Sequence, residues 1–336
     1  MKKIWLLVPL VPCALILGGI RVLSRKSFHR ADRPALSYAR FYDYYAKDYP
    51  RRKVAIRSGK NKLAGFIYGE TNTKALIVFS HGSGTFHEEY MKEIVWFVDR
   101  GYRVFAADYT ACGASEGSYT GGLAQTPIDL DRILTWIEQD PGLSGMKKVL
   151  IGHSWGAYGV TAVLNFEHEI AGVVSLAAYN DPAEQMADIL ARVTSPALRL
   201  LKPFFRLSDI MDHGRYGALK AVDGINRAGV PILIVQGTAD QMISFDNCSL
   251  VAHRSEITNP QAEYFILDQP GHCDHDSFRY TEKGEDLLVQ FRKDSAGKSG
   301  EELKKLCAAL DMDEINRVNE AFMERIEQFL SKALQD

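Results

Sequence analysis

The stretch from Lys148 to Ala157 reads KVLIGHSWGA, and the fold of the chain can be argued outward from it. Its Val-Leu-Ile run is typical of a strand that is buried on both faces of a parallel sheet. The run continues into G-x-S-x-G, with Ser154 at the centre, and then into a helical pattern. Gly152 and Gly156 indicate a cramped turn in which a side chain would collide with neighbouring chain. The sequence therefore predicts a strand, a sharp turn and a helix, with the hydroxyl of Ser154 presented at the turn.

A rhythm of strands and helices surrounds this turn. Seven other β-rich runs are visible, at residues 53–57, 63–68, 75–80, 102–106, 172–175, 231–236 and 263–267. Helical patterns separate several of them, for example at residues 90–100, 128–139 and 158–166. Because parallel neighbours in a sheet need a crossover, strands that alternate with helices imply a doubly wound arrangement. We therefore predict an α/β fold with a doubly wound, mostly parallel, eight-stranded sheet.

Four further motifs each follow a predicted strand. They are Ser80–Gly84 (SHGSG), Asp108–Gly117 (DYTACGASEG), Gly237–Asp240 (GTAD) and Gly271–His275 (GHCDH). With the turn at Ser154, their order resembles that of the α/β-hydrolase family, and the resemblance covers about residues 53–334. The second motif departs from the family pattern at Ala111, where glycine is usual, and this departure affects a structural turn. The resemblance implies a hydrolase fold with a catalytic triad.

The same resemblance assigns roles to five residues. Ser154 matches the nucleophile, Asp240 matches the triad acid, and His272 matches the general base because the family places its histidine after a glycine. A carboxylate at Asp240 would hold the imidazole in the required tautomer, and a neutral imidazole can take the serine proton. The backbone N–H groups of Ser83 and Trp155 match the oxyanion hole. This chemistry is acyl transfer to water, and it needs no cofactor.

Two of these assignments have competitors in the sequence. His275 is the rival of His272 as the base, although no glycine precedes it. Asp246 and Asp268 could each replace Asp240 as the acid, although neither follows a strand as neatly. The sequence therefore favours His272 and Asp240 but leaves these alternatives open.

Composition narrows the other classes of function. The 336 residues carry a formal net charge of −2, so there is no general electrostatic attraction to nucleic acid. The histidines outside the motifs lack the spacing of a metal site; they are His29, His87, His168, His213 and His253. Five cysteines with no C-x-x-C pair are expected to be free thiols, and a disulfide or reactive thiol at Cys112 and Cys273 is the alternative. The expected partner is therefore a small molecule.

The N-terminus differs in composition from the rest of the chain. Lys2 and Lys3 precede an uncharged, apolar run over residues 4–20, which is near the minimum length for a helix that crosses a bilayer. Residues 1–22 are expected to be a membrane anchor or signal segment, and an uncleaved anchor is favoured because no small-x-small site follows. Basic residues after the run favour a cytoplasmic body, and a secreted orientation stays open. Residues 23–50 are basic and aromatic and are expected to form a stalk with a short helix.

Two stretches interrupt the rhythm of the hydrolase domain, which is expected over residues 51–336. A helical cap is predicted at about residues 182–224, and a charged helical insertion is predicted at about residues 276–313. The apolar side chains of the cap fit either a hydrophobic substrate or the cap's own core; they are Met186, Ile189, Leu190, Leu198, Leu200, Leu201, Phe204 and Phe205. The insertion fits either a partner-docking or substrate-gating arm or an extra surface helix, and the surface helix is favoured.

These expectations favour hydrolysis of carboxylic esters, with hydrophobic acyl or lipid-like substrates. The alternative is a peptidase of the same fold, similar to an aminopeptidase, which would need an acidic residue in the cap to bind a free amine. Glu184, Asp188 and Asp209 are available there. A membrane-tethered scaffold without activity is a third hypothesis. It predicts that a triad residue is missing, whereas candidates for all three are present.

Overall fold

An eight-stranded sheet lies at the centre of the molecule. The computed structural model describes residues 10–335. The strands are β1 (Arg51–Ser58), β2 (Asn61–Tyr68), β3 (Leu76–Ser80), β4 (Arg103–Ala107), β5 (Lys148–His153), β6 (Gly172–Leu176), β7 (Ile232–Gly237) and β8 (Ala262–Leu267). They lie in the order β1-β2-β4-β3-β5-β6-β7-β8. The prediction of a mostly parallel, eight-stranded sheet is confirmed.

The direction of the strands explains their composition. β1 and β2 form an antiparallel hairpin, and β2 also runs antiparallel to β4. The remaining neighbours, from β4 through β3 and β5 to β8, are parallel. Every residue of β3, β5, β6 and β7 is buried, so these strands are continuous apolar runs and do not alternate. Their carboxyl ends meet at one edge of the sheet, which is where open α/β sheets carry their sites.

Helices flank both faces of the sheet. The described α-helices are α1 (Leu10–Ser27), α2 (Tyr42–Tyr45), α3 (Met91–Asp99), α4 (Thr126–Gln139), α5 (Trp155–Ala162), α6 (Pro182–Val193), α7 (Lys202–His213), α8 (Ala221–Ala228), α9 (Glu282–Ser295), α10 (Gly300–Ala308), α11 (Met312–Ile315) and α12 (Glu320–Ala333). α4, α5 and α8 cover one face, and α3 and α12 cover the other. The sequence determines some of the boundaries. The carboxylate of Asp181, for example, accepts the Ala183 N–H at the start of α6.

Two apolar clusters, one on each face, hold these layers together. Leu134 of α4 and Leu150 of β5 belong to the first cluster. Ile94 of α3 belongs to the second, together with Val149 and Ile151 of β5. Successive residues of β5 thus point to opposite faces, as the pleat of a strand requires. Burying each of these side chains stabilises the fold by roughly 1.5–3 kcal/mol relative to exposure.

The predicted membrane segment, residues 1–22, lies only partly in the described chain, because positions 1–9 fall outside it. Its remaining residues belong to α1. Ile16 and Ile20 of this helix pack against the cap, and Arg21 forms an ion pair with Asp212. No helix in the described part of the chain is both long enough and apolar enough to cross a bilayer. The prediction of a transmembrane helix is therefore unsupported, and Ile16 and Ile20 of the uncharged run contact apolar side chains of the cap.

Residues 28–50 lie along the surface of the domain and do not form a separate stalk. The backbone N–H of Ala31 donates to the carbonyl of Ala111 at 2.9 Å. Phe41 is buried and stacks on Phe86, with ring centroids 5.6 Å apart. Ala111 itself has φ 59°, the left-handed conformation for which glycine is usual at this position of the family motif. Phe41 therefore packs in the core, and Tyr42 and Tyr45 pack against it, whereas Tyr44 is exposed.

Helices occupy the two stretches in which a cap and an insertion are predicted. The cap lies between β6 and β7 and consists mainly of α6 and α7. Most of the apolar cap residues singled out from the sequence pack together with α1; they are Met186, Leu190, Leu201, Phe204 and Phe205. The cap's own core therefore accounts for these side chains. The insertion contains α9 and α10, and Leu288 of α9 packs against Tyr280 and Ile315 of α11.

Candidate active site

Ser154 lies at the turn between β5 and α5. Its backbone has φ 56° and ψ −115°, outside the regions that L-residues normally adopt. A Cβ on Gly152 would lie 2.4 Å from the carbonyl oxygen of Gly156, so position 152 has no room for a side chain. A Cβ on Gly156 would lie 2.2 Å from the carbonyl oxygen of Ser80. The prediction of a cramped turn is confirmed, and the turn holds Ser154 at the carboxyl edge of the sheet.

The carboxylate of Asp240 is buried just after the end of β7. The backbone N–H groups of Met242 and Ile243 donate to its Oδ1, each at 2.8 Å. Its Oδ2 accepts from Nε2 of Gln236 at 2.7 Å and from Nδ1 of His275 at 2.7 Å. Four donors from three parts of the chain fix the orientation of this carboxylate.

The histidine beside Asp240 is His275, which corrects the prediction of His272. Nδ1 of His272 donates instead to Oε2 of Glu285, at 2.9 Å. His275, the alternative base considered from the sequence, is thus the histidine that contacts Asp240. Neither Asp246 nor Asp268 is paired with His275. The structure therefore unites Asp240 with His275 and leaves His272 in a separate pair.

Gly271, the glycine that favoured His272 in the sequence, is required by the geometry of a turn. Gly271 has φ 86° and lies in a turn closed by the hydrogen bond from the N–H of His272 to the carbonyl of Gln269, at 3.0 Å. Pro270 precedes it, and Pro-Gly is the usual central pair of a β-turn whose third residue is left-handed. The Pro-Gly pair was a visible sequence signal for this turn. It explains the glycine without reference to a catalytic histidine.

Contacts between two loops place His275. The N–H of Ala239 donates to the carbonyl of Cys273 at 2.9 Å, and the N–H of Gln241 donates to the carboxylate of Asp274 at 3.2 Å. Residues 273–274 therefore run beside the loop of Asp240. The next side chain along the chain, at position 275, is the one that reaches the acid. Spacing in the sequence cannot reveal this alignment, because it arises from pairing between distant loops.

The tautomer of His275 follows from its partner. Because the carboxylate of Asp240 accepts, Nδ1 of His275 carries a proton and Nε2 is left as an acceptor. Burial alone would lower the pKa of His275, but the hydrogen bond and the negative charge of Asp240 raise it above its ordinary value. The ring of His275 lies 4.9 Å from that of His153, the residue before Ser154. The imidazole is therefore adjacent to the turn that carries the serine.

The loop after β3 lies against this turn. A Cβ on Gly82 would lie 3.7 Å from the Cβ of Ser154. Ser83, whose backbone N–H is one predicted oxyanion donor, comes next in the chain and is exposed. Trp155 carries the other predicted donor and is the first residue of α5, where backbone N–H groups lack a partner within the helix. Both N–H groups thus belong to residues that flank the serine.

The cap carboxylates considered as amine-binding groups are occupied or poorly ionised. Asp188 pairs with Arg192 at 2.8 Å, and Glu184 pairs with Lys202 at 2.7 Å. Burial raises the pKa of Asp209 to about 7. A substrate ammonium group would therefore have to displace a cation from the first two, or ionise the third against its surroundings.

The cysteines and the metal-binding residue types can be compared with their predicted states. All five cysteines are free, and Cys112 and Cys273 are buried. Burial raises the pKa of the Cys112 thiol, which disfavours the reactive thiolate. Over residues 10–335, no group of three or more His, Cys, Asp or Glu side chains is arranged to hold a metal ion.

Comparison with known proteins agrees with this architecture. A family model described as serine aminopeptidase, S33, matches residues 71–218. An uncharacterized protein of Salmonella typhi, YfhR, is 27% identical over 223 residues, which cover 66% of this chain and 72% of YfhR. The equivalent protein of Salmonella typhimurium has the same identity and coverage.

Solved structures show the same fold. The esterase Pf2001 of Pyrococcus furiosus superposes with a TM-score of 0.56 at 18% identity, covering 79% of this chain and 98% of the esterase. An α/β hydrolase of Vibrio vulnificus has a TM-score of 0.52 at 15% identity and covers 76% of this chain and 83% of its own. The sheet order, the serine turn and the family match identify the protein as a member of the α/β-hydrolase superfamily. Within that superfamily, its residues 71–218 are similar to the serine aminopeptidase model, and this match supports hydrolase activity.

Proposed function

We propose that this α/β hydrolase cleaves carboxylic esters through an acyl-enzyme, with Ser154 as nucleophile, His275 as general base and Asp240 as the acid that orients the base. The observation that carries the proposal is the 2.7 Å hydrogen bond between Nδ1 of His275 and Oδ2 of Asp240, next to the strained turn at Ser154. His275 takes the role that the sequence assigned to His272. Ester-cleaving neighbours with the same fold are consistent with this function.

The reaction has two halves. Nε2 of His275 accepts the hydroxyl proton of Ser154 while Oγ attacks the ester carbonyl, and the resulting oxyanion is stabilised by the N–H groups of Ser83 and Trp155. The tetrahedral intermediate collapses when the C–O bond breaks and His275 returns the proton to the departing alcohol. Water then attacks the acyl-enzyme by the same route, releasing the acid and restoring Ser154.

The environment of Asp240 supports this assignment. Two backbone N–H groups and Gln236 fix the carboxylate, so it cannot rotate away from His275 when the imidazole becomes charged. A buried negative charge beside the imidazolium stabilises the proton that His275 takes from Ser154. The raised pKa of His275 has the same cause.

Esters are proposed ahead of amides because Glu184 and Asp188 are already paired with cations, and burial raises the pKa of Asp209, which disfavours its charged form. The family match to a serine aminopeptidase keeps peptide hydrolysis as the second candidate. The preference for hydrophobic or lipid-like acyl groups stays a prediction. Its remaining support is the set of exposed apolar side chains on the cap helices and their connection: Val193, Leu200, Leu207, Ile210 and Met211.

The test combines active-site labelling with substrates of graded length. A fluorophosphonate should label the protein at Ser154, and the Ser154→Ala variant should lose both labelling and about ten-thousand-fold or more of its kcat on p-nitrophenyl esters. The acyl-chain profile from acetate to palmitate reports the preference for hydrophobic groups. Aminoacyl arylamides report the peptidase alternative.

The matched control is Ser144→Ala, because Ser144 is an exposed serine in the turn before β5. This variant should retain the wild-type rate and labelling. Equal ester rates in wild type and Ser154→Ala, or a label mapped to another residue, would contradict the proposal. Faster turnover of arylamides than of every ester would favour the peptidase.

A further inference from the structure

A buried tyrosine connects the oxyanion loop to the serine turn. Oη of Tyr90 accepts the backbone N–H of Gly82 at 3.0 Å and lies 2.8 Å from Nδ1 of His153. Gly82 precedes the predicted donor Ser83, and His153 precedes Ser154. Tyr90 is 2% exposed, so water does not compete for its hydroxyl. One hydroxyl group therefore joins the two backbone segments between which an oxyanion would form.

The direction of both hydrogen bonds can be assigned. An N–H only donates, so the bond from Gly82 uses Oη of Tyr90 as the acceptor and leaves its single proton for His153. Burial raises the pKa of the Tyr90 hydroxyl and lowers the pKa of His153 to about 3, so both groups are neutral. His153 thus accepts at Nδ1 and carries its proton on Nε2, which lies 3.6 Å from Oδ1 of Asp276.

Gly82 is held at its other end as well. Its carbonyl oxygen lies 2.8 Å from Nδ1 of His81 and accepts the hydroxyl of Thr85 at 3.1 Å. Nε2 of His81 accepts a backbone N–H from Tyr109 at 3.0 Å, so Nδ1 of His81 is the donor to Gly82. In a planar trans peptide the C=O and the following N–H point in opposite directions. Fixing the carbonyl of Gly82 therefore fixes the direction of the N–H of the next residue.

The ring of Tyr90 is locked in place. It packs on Phe79 with centroids 5.2 Å apart, and the guanidinium of Arg279 lies 4.1 Å from its centroid. A Cβ on Gly82 would come within 2.9 Å of Oη of Tyr90, so the backbone must lie directly against the hydroxyl. The contact is thus rigid on both sides.

We propose that Tyr90 is a positioning residue for ester hydrolysis: its hydroxyl holds Gly82 against the His153–Ser154 turn, so that the N–H of Ser83 is aimed at the oxyanion. This inference rests on the proposed function, since it assigns Tyr90 a part in the same reaction. Tyr90 touches neither the substrate nor the reacting atoms. Its contribution is to the direction of a donor that gains strength only when the oxyanion forms.

The first test does not depend on activity. Tyr90→Phe keeps the ring and removes the hydroxyl, so amide hydrogen exchange at Gly82 should accelerate about tenfold. The ¹⁵N resonance of Nδ1 in His153 should move towards that of a nitrogen without a hydrogen-bond donor. The control is Tyr68→Phe, because Tyr68 is also fully buried and its hydroxyl contacts Arg51 at 2.9 Å and Nε2 of His87 at 3.0 Å. This control should leave both signals of the loop unchanged.

The second test measures catalysis per active site. Fluorophosphonate titration gives the fraction of folded sites, and kcat per titrated site should fall about ten- to a hundredfold in Tyr90→Phe, less than the loss of a whole oxyanion donor. KM should stay within about twofold, because the ground-state ester does not need this donor. The affinity for a trifluoromethyl ketone, which forms an oxyanion on Ser154, should fall by the same factor as kcat.

Two outcomes would overturn the inference. Unchanged exchange at Gly82 would show that the hydroxyl does not hold the loop. A kcat per titrated site equal to that of Tyr68→Phe would show that the hydroxyl has a structural role only. Failure of the proposed function gives a different pattern, in which Ser154→Ala hydrolyses esters as fast as the wild type while exchange at Gly82 still responds to Tyr90→Phe.

Discussion

Two histidine–carboxylate pairs lie three residues apart in the loop after β8. His275 donates to Asp240 at 2.7 Å, and His272 donates to Glu285 at 2.9 Å. The distances and the donating nitrogen are nearly the same, so the local contact does not distinguish a candidate catalytic pair from a structural one. The difference lies in where each carboxylate is held. Asp240 follows a strand at the same edge of the sheet as Ser154, whereas Glu285 belongs to α9 outside the sheet.

The His272–Glu285 pair stabilises the loop that carries His275. Glu285 also accepts the hydroxyl of Ser277, and that hydroxyl accepts the N–H of Asp274 at 2.8 Å. His272 and Ser277 lie on either side of His275 in the chain. One carboxylate of α9 thus ties both flanks of the loop that presents the base. The same kind of hydrogen bond therefore orients a candidate proton carrier in one pair and closes a loop in the other.

Removing each imidazole in turn tests whether His275 and His272 have different roles. His275→Ala should lower kcat on p-nitrophenyl esters about a thousandfold or more, because the proposed acceptor of the serine proton is removed. His272→Ala should cost less than about tenfold, since it affects only the support of the loop. Steady-state rates per folded protein, with circular dichroism as the check on folding, give the comparison. Equal losses of kcat in the two variants would contradict the assignment of His275 as the base and His272 as a support of the loop.

The pH dependence of kcat/KM should sharpen the distinction. Only neutral His275 can accept the serine proton, so the rate should rise with pH and reach half its plateau at the pKa of His275. The charge of Asp240 raises that pKa above the ordinary value, so the midpoint should lie above pH 6.5. Glu285→Gln is the matched control, and it should leave the midpoint in place. A pH midpoint below 6.5 would contradict the assignment of His275 as the base. A midpoint that shifts in Glu285→Gln would contradict it as well.

The sequence predicted the sheet well because its signal is local. Continuous apolar strands, the G-x-S-x-G turn and the helices between them depend on neighbouring residues, and Ser154 and Asp240 were located by the strands that precede them. The sequence favoured His272 over His275 as the base because Gly271 was taken as the marker of that residue. Gly271 is required by the φ of its turn, whereas His275 is selected by hydrogen bonds between residues 239–241 and 273–274. Such a register between distant loops leaves no mark in local spacing.

The terminal segments show the same limit. The composition of residues 1–22 predicted a membrane helix, but a run of apolar residues can equally cover apolar surface of a neighbouring element. In α1, Ile16 and Ile20 do so against the cap. The insertion at residues 276–313 was expected to be a packed surface helix, and α9 does pack on the body. Its contact from Glu285 to the histidine loop could not be inferred from the helical pattern.

The smallest expected effect is on stability, and it tests whether His272 and Glu285 act as a pair. Each of His272→Ala and Glu285→Gln should lower the free energy of unfolding by about 1–3 kcal/mol. The first removes a donor to Glu285, and the second leaves a single acceptor oxygen for the two donors, His272 and Ser277. The double variant should lose less than the sum, with a coupling energy of about 0.5–3 kcal/mol in urea unfolding. The control is His272→Ala combined with Tyr68→Phe. Tyr68 lies in β2, near the edge of the sheet opposite to β8, so the two losses of unfolding free energy should add. Additivity in the His272–Glu285 cycle itself would mean that the 2.9 Å contact contributes nothing of its own, and that the loop around His275 is held by Ser277 and the neighbouring backbone instead.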